Sequence, residues 1–223
     1  MMEHDFELIT FDCYGTLIDW EQGIASAFQS EAARQGVELD GESVIASYHG
    51  EEPRVESESY APYREVLAET ARRTTARLGL EIPPDRAGFL AESLPRWQPF
   101  PDTNAALERL ARRFELGILS NTDDDLLAAT RRHFTVEFDF AVTAAQVRSY
   151  KPAEGHFIEG RRRAGEKRWL HAAQSYFHDV VPARKLGIPA AWVNRKGERA
   201  FDQGLLPDFE VRNLTELADL LGV

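Results

Sequence analysis

Cysteine is almost missing from this chain: Cys13 stands alone in 223 residues. No internal disulfide can form, and a lone thiol fits a reducing compartment. Long apolar runs are absent as well. No stretch approaches the roughly 20 residues that cross a bilayer. The N-terminal MMEHDFE lacks both the basic and the apolar region of a signal peptide. The expectation is a cytoplasmic protein with no membrane partner. Positive charge is in deficit, with 26 Lys and Arg against 37 Asp and Glu and a formal net charge of −11. That balance repels nucleic acid and anionic membrane surfaces. The basic clusters ARRTTAR (71–77) and GRRRAGEKR (160–168) read as solvated helix faces with glutamates nearby. An acidic chain that binds a small anion must therefore bring specific cations into its pocket. Internal repeats, low-complexity tracts and heptads are also missing.

What remains is the composition of a globular protein, 43% hydrophobic and 28% charged. The length suits one large domain, or a core with an insertion. The second half alternates short β-rich runs with helical patterns. FELGILSN (114–121), FDFAVTA (138–144), HAAQSYF (171–177) and PAAWVNR (189–195) read as strands. In PDTNAALERLARRF, Asp102 or Thr103 can cap a helix whose Ala106, Leu107, Leu110 and Phe114 share a face. DVVPARKLG ends on Gly187, a residue suited to closing a helix, and NLTELADLLG closes the chain as a short amphipathic helix. Strands alternating with helices predict an α/β fold, with a parallel sheet covered on both faces. Between Trp20 and about Phe100 the pattern is nearly all helical, clearest in GIASAFQSEAARQG and YREVLAETARRTTARLG. The expected organisation is an α/β core of residues 1–19 and 100–223, with a helical cap of residues 20–99 inserted after the first strand. Trp20 and Trp97 are expected to pack the cap against the core.

LITFDCYGTLIDW (8–20) puts a carboxylate, Asp12, at the end of a strand read as buried. Ligands of open parallel sheets bind at the carboxyl ends of the strands, so those ends deserve reading together. The first carries Asp12 and Thr16, and the second Ser120, Asn121 and Thr122. Lys151 follows the third in RSYKP, and the fourth carries Gln174, Ser175, His178 and Asp179. Polar groups at four successive strand ends are hard to explain by packing.

In order and spacing DCYGTL, LSN, YKP and HDVVPARKLG resemble the four motifs of the haloacid dehalogenase superfamily, along nearly the whole chain. The resemblance implies a Rossmann-like core with a cap, and a covalent intermediate on Asp12. Superfamily phosphatases usually carry a second aspartate two residues after the nucleophile, to protonate the leaving alcohol. Here that position is Tyr14, whose ordinary pKa of about 10 makes it a poor proton donor. The D-x-Y-G-T-L form looks like that of 2-haloacid dehalogenases, whose halide leaves without a proton. Gln174 stands where phosphatases commonly have an aspartate, which leaves a Mg²⁺ site short of carboxylates. No metal and no cofactor are expected.

The resemblance implies that Asp12 displaces halide from a small carboxylate substrate and forms an ester. A water activated by Asp179, with His178 as a second candidate base, then hydrolyses it. Lys151 holds Asp12 ionised, and Thr16 and Ser120 orient carboxylates. Cys13, Tyr14, Ser120, Asn121, Gln174, Ser175 and Arg54 are the candidate substrate-binding residues, with Asn121 and Arg54 toward the halide. Cys13 also reads simply as a small buried residue. The chain departs from the dehalogenase pattern at Gln174 and Tyr176, where serine and asparagine are expected, and at Phe157, where tyrosine is expected. In the cap stretch SYHGEEPRVE, Arg54 is the nearest arginine and His49 the alternative. The leading expectation is hydrolytic dehalogenation of 2-haloacids. The other readings are a phosphatase of the same superfamily and a non-catalytic protein of this fold. The resemblance also allows a homodimer.

Overall fold

A computed structural model describes residues 5–223, so the first four residues of the MMEHDFE stretch lie outside the described residues. The strands are β1 (Leu8–Phe11), β2 (Glu115–Ser120), β3 (Phe140–Thr143), β4 (Trp169–Ala173), β5 (Ala190–Val193) and β6 (Phe209–Val211). The helices are α1 (Trp20–Ala33), α2 (Gly41–Glu58), α3 (Tyr63–Arg77), α4 (Phe89–Ser93), α5 (Thr103–Leu110), α6 (Asp124–Thr130), α7 (Ala144–Val147), α8 (Gly155–Ala164), α9 (Val181–Lys185) and α10 (Leu214–Leu220). No described helix is long and apolar enough to cross a membrane. The chain divides into two compact units. One comprises the chain up to Ile18 with Pro99–Asn121 and Arg132–Val223, and the other Asp19–Gln98 with Thr122–Arg131.

The first unit holds a six-stranded sheet in the order β3-β2-β1-β4-β5-β6, parallel throughout. This is the Rossmann-like α/β arrangement expected from the sequence. All four residues of β1 are buried. A central parallel strand meets packing on both faces, which is why LITF is a run and not an alternation. The strand order reverses between β1 and β4, and the ends of those two strands flank the crevice where such sheets bind ligands. Leu119, Val142, Phe157, Trp169, Val180, Ile188 and Trp192 belong to one buried apolar cluster on this sheet.

Three sequence expectations are corrected here. The strand read over 171–177 is β4 at Trp169–Ala173, because Trp169 and Leu170 pair with Leu8 and Ile9 and are buried. Gln174–Phe177 lie beyond it, where the Ser175 hydroxyl accepts from the His178 N–H and starts a single π-helical turn, Tyr176–Val180. Asp102 occupies the N-cap position of α5 without capping it. Its carboxylate binds Arg195 with both oxygens at 3.0 Å and also accepts the Leu214 N–H at 2.8 Å. Three-residue β6 went unpredicted. Gly187 does close α9 at a φ of +68°, as expected.

The second unit is helical. Asp19 and Asp40 cap α1 and α2 through the backbone N–H groups of Gln22 and Ser43. The Trp20 ring packs on Tyr48 and His49, and Trp97 lies against Gly23, where a Cβ would sit 2.3 Å from the indole. Residues 122–131, placed by sequence with the sheet, cluster with these helices. Helix α3 begins after Pro62 without a capping side chain of its own. The Asp123 carboxylate supplies the cap instead, accepting the N–H groups of Tyr63 and Arg64 at 2.9 and 3.0 Å. The two basic clusters are solvated faces, as read. Arg72, Arg73 and Arg77 pair with Glu69, Glu58 and Glu51, and Arg162 and Arg163 pair with Glu159.

Candidate active site

Asp12 is the first residue beyond β1, and its N–H extends the ladder to Ala172 at 3.1 Å. The chain then folds back tightly. The Cys13 carbonyl accepts from Leu17 and Ile18, and the Gly15 N–H donates to the Ile18 carbonyl at 2.8 Å. Gly15 sits at a φ of +99°, a backbone region that a side chain disfavours. This loop brings the Thr16 hydroxyl to 2.8 Å from Asp12 Oδ2, to which it donates. The same hydroxyl accepts the Gln174 N–H at 2.9 Å, which ties the loop after β1 to the loop after β4.

Lys151 is fixed at its backbone by Asn121. Its N–H donates to Asn121 Oδ1 at 2.7 Å, and its carbonyl accepts Asn121 Nδ2 at 3.1 Å. Its side chain is 2% exposed, and its Nζ donates to Asp179 Oδ1 at 2.6 Å, Asp12 Oδ1 at 2.9 Å and the Leu119 carbonyl at 2.9 Å. An ammonium has three hydrogens, and all three are engaged. Asp179 lies in the π-helical turn after β4 and is as buried as the lysine.

The electrostatics follow from sharing one cation between two buried anions. Burial pushes the Asp12 carboxyl up, and the neighbouring charge of Asp179 adds to this, against the pull of Lys151 and Thr16. For Asp179, burial also pushes upward, but Lys151 and His171 outweigh it and hold the group down at about 2. Burial alone would lower Lys151, yet Asp12 and Asp179 raise it above its ordinary value, so it stays charged. Asp12 thus has a fixed donor at each oxygen and sits beside a second carboxylate that is held down by its own donors.

The structure brings together Asp12, Thr16, Lys151, Asp179, Asn121 and Gln174 from the sequence-predicted set. Ser120 ends β2, and its buried hydroxyl has no hydrogen-bond partner among the described residues. Other candidates are placed differently. Cys13 is fully buried, and burial followed by the Asp12 charge pushes its thiol well above the ordinary range, so it packs and does not react. His178 bonds through Nδ1 to the Ser175 hydroxyl at 3.0 Å, and burial lowers its pKa. The Tyr176 hydroxyl donates to the carbonyls of Asp202 and Leu205. In the helical unit, Arg54 is exposed and pairs with Glu51, and His49 bonds Glu21 at 2.8 Å. Phe157 is buried with its ring against His171. Sequence reasoning missed His171 and Thr10. Both looked like strand residues, and nothing local signals that they meet 161 positions apart.

No described group of three or more His, Cys, Asp or Glu side chains is arranged to hold a metal ion. A divalent cation here would have to share Asp12 and Asp179 with Lys151, and among the described residues only Asp179 Oδ2 of the pair's carboxylate oxygens has no protein donor. The residues present fit such an ion poorly.

The Asp12 carboxylate at the switch point, held by Thr16 and the buried Lys151, is the centre of the candidate site. The family model for haloacid dehalogenase-like hydrolases matches residues 6–168, and the chain belongs to that family. Among its relatives, the (S)-2-haloacid dehalogenase H-109 of Pseudomonas putida is 29% identical over 224 residues, covering 96% of this chain and 97% of that one. The haloacetate dehalogenase H-2 of Moraxella sp. (strain B) is 29% identical over 225 residues, covering 97% and 98%. The L-2-haloacid dehalogenase of Xanthobacter autotrophicus, solved with chloropropionic acid covalently bound, superposes with a TM-score of 0.82 at 23% identity, covering 97% and 98%. That likeness establishes the fold.

Proposed function

We propose that this protein hydrolyses the carbon–halogen bond of small 2-haloacids through an ester on Asp12. The observation that carries the reading is the Asp12 carboxylate itself, buried, held at both oxygens by Thr16 and Lys151, and followed two residues later by Tyr14 where an alcohol-protonating acid would stand. Burial strips water from the nucleophile, and fixed donors replace it. An Asp12 oxygen attacks C2, the carbon–halogen bond breaks, and halide leaves with its electron pair, so no proton donor is called for. In the resulting ester Lys151 still stands beside Oδ1, where it stabilises the oxyanion formed when water adds to the Asp12 carbonyl carbon. Asp179 takes the proton of that water. As the tetrahedral adduct collapses, Asp179 returns its proton to the departing alkoxide oxygen, the 2-hydroxy acid is released, and Asp12 loses the second water proton to solvent and is carboxylate again. Support comes from the Pseudomonas and Moraxella relatives, which are haloacid and haloacetate dehalogenases, and from the covalent chloropropionate of the Xanthobacter enzyme.

The test is halide release, measured by ion chromatography from 2-chloro-, 2-bromo- and fluoroacids without added metal, with Asp12→Asn as control. Release that vanishes in the control supports the reading. Release of phosphate from phosphate esters on addition of Mg²⁺, with no halide from any acid, overturns it in favour of a phosphatase.

A further inference from the structure

Asp179 is held asymmetrically. Its Oδ1 meets Lys151 Nζ at 2.6 Å and His171 Nε2 at 3.0 Å, whereas its buried Oδ2 has no partner among the described residues. His171 lies on β4 and is 1% exposed. Behind it, Nδ1 meets the Thr10 hydroxyl at 2.8 Å, and that hydroxyl meets Trp169 Nε1 at 2.6 Å.

The donors and acceptors in this row favour one arrangement of protons. An indole N–H only donates, so the Thr10 oxygen accepts there, and its one hydrogen is left to give to His171 Nδ1. Nδ1 is then bare, and the imidazole proton sits on Nε2, aimed at Asp179. The opposite tautomer sets a bare nitrogen against a carboxylate oxygen. An imidazolium leaves the Thr10 hydrogen with no acceptor among the described residues. The Phe157 ring, edge-on at 5.2 Å, packs the imidazole in place.

We propose that His171 is a positioning residue, whose Nε2–H acts with Lys151 to lock Oδ1 of Asp179 and so present Oδ2 alone to the water that hydrolyses the Asp12 ester. The inference rests on the ester reading above. A carboxylate clamped by one donor pivots about it, whereas one clamped by two keeps a single lone-pair direction. Because Asp179 is held at about 2, it is a weak base, and orientation is what it has to offer the water. A neutral imidazole adds the second donor without a second cation, so Lys151 stays shared between the two carboxylates. The neighbours of Asp179 do not supply this restraint, since Ser175 serves His178 and Tyr176 turns to the carbonyls of Asp202 and Leu205.

Two measurements test the proposal. In the intact protein with ¹⁵N-labelled histidine, NMR should show His171, assigned through His171→Gln, as the Nε2–H tautomer with a bare Nδ1. The Nδ1–H tautomer or an imidazolium overturns it. In single turnover with 2-chloropropionate, His171→Phe should leave the halide burst unchanged and slow ester hydrolysis about 10- to 100-fold. The Asp12 ester would then accumulate and be visible by intact-protein mass. His171→Gln, which carries an N–H donor, should restore most of the hydrolysis rate. Wild-type hydrolysis in the Phe variant, or equal slowing of both steps in both variants, would sink the positioning role. Absence of turnover by the wild type defeats the dehalogenase reading instead, and the tautomer measurement then decides the His171 assignment by itself.

Discussion

Lys151 Nζ lies 2.6 Å from Oδ1 of Asp179, and neither side chain exposes more than 2% of its surface. Each group helps to keep the other charged, Asp12 acting on the lysine as well and His171 on the aspartate. Taking two such charges from water costs several kcal/mol per ion, about as much as their attraction returns, so removing one is more damaging than removing both.

Lys151→Ala is therefore expected to do more than silence the site. It leaves Asp12 and Asp179 as neighbouring buried anions, at a cost of about 3–5 kcal/mol. Urea unfolding should show the loss, alongside halide release at background. A variant of wild-type stability would mean that water fills the ammonium's place.

Asp12→Asn should behave in the opposite sense. The raised pKa of Asp12 means that the folded chain binds this proton more readily than the unfolded one, so the ionised form subtracts stability at neutral pH. The amide has no charge to desolvate and still offers Oδ1 to Lys151. The variant should be inactive and melt no lower than wild type, and a gain of about 1 kcal/mol would raise the midpoint by roughly 2–4 °C. A clear drop in melting temperature contradicts this.

The acid limb of halide release should belong to Asp12. As pH falls, the first proton goes to Asp12, whose pKa is raised, while Asp179 stays ionised until about pH 2. The stability that Asp179 contributes is correspondingly full above its unfolded value of 3.8 and is lost toward 2. Asp179→Asn removes the like charge and leaves Lys151 to Asp12 alone, so the Asp12 pKa drops. Rapid-quench measurement of the halide burst should find its acid limb moved to lower pH in this variant, with the ester left unhydrolysed. A limb moved upward would show that Asp179 does not burden Asp12.

Thr16→Val removes the donor to Asp12 Oδ2 and strands the Gln174 N–H. The expected loss is about 1–3 kcal/mol, with a fall in burst rate that Thr16→Ser largely reverses. Thermal melts and burst kinetics on the pair check both effects. Equal rates in Val and Ser would show that the hydroxyl is not needed for orientation.

Motif residues at strand ends were legible because the sheet's own rule put them there. Asp12 and Asp179 follow the buried strands β1 and β4, which the strand order places at the switch point, and Lys151 comes after β3 and α7. The rest was hidden for physical reasons. Trp169 and Leu170 follow a run of arginines and lysines, so the strand looked as if it began at His171. Strand β6 is only Phe-Glu-Val, too short for any period. The Tyr176 side chain could be noted as a departure, but its destination depends on the carbonyls of Asp202 and Leu205 in a distant loop. His171 carried no signal at all, because its meaning comes from Thr10 across the β1–β4 pairing.

Asp123 has a bearing on how this chain can be recombined. The helical stretch 19–98 looks like a cassette that could be lifted out between Ile18 and Pro99, which pair with each other. Yet the first N–H groups of α3 are satisfied by a carboxylate some 60 positions downstream, outside that stretch. A chimera that exchanges only the continuous segment would carry a frayed α3 into its new host. Exchanging 19–98 together with 122–131 keeps that helix start intact, so the transferable module of this protein is discontinuous.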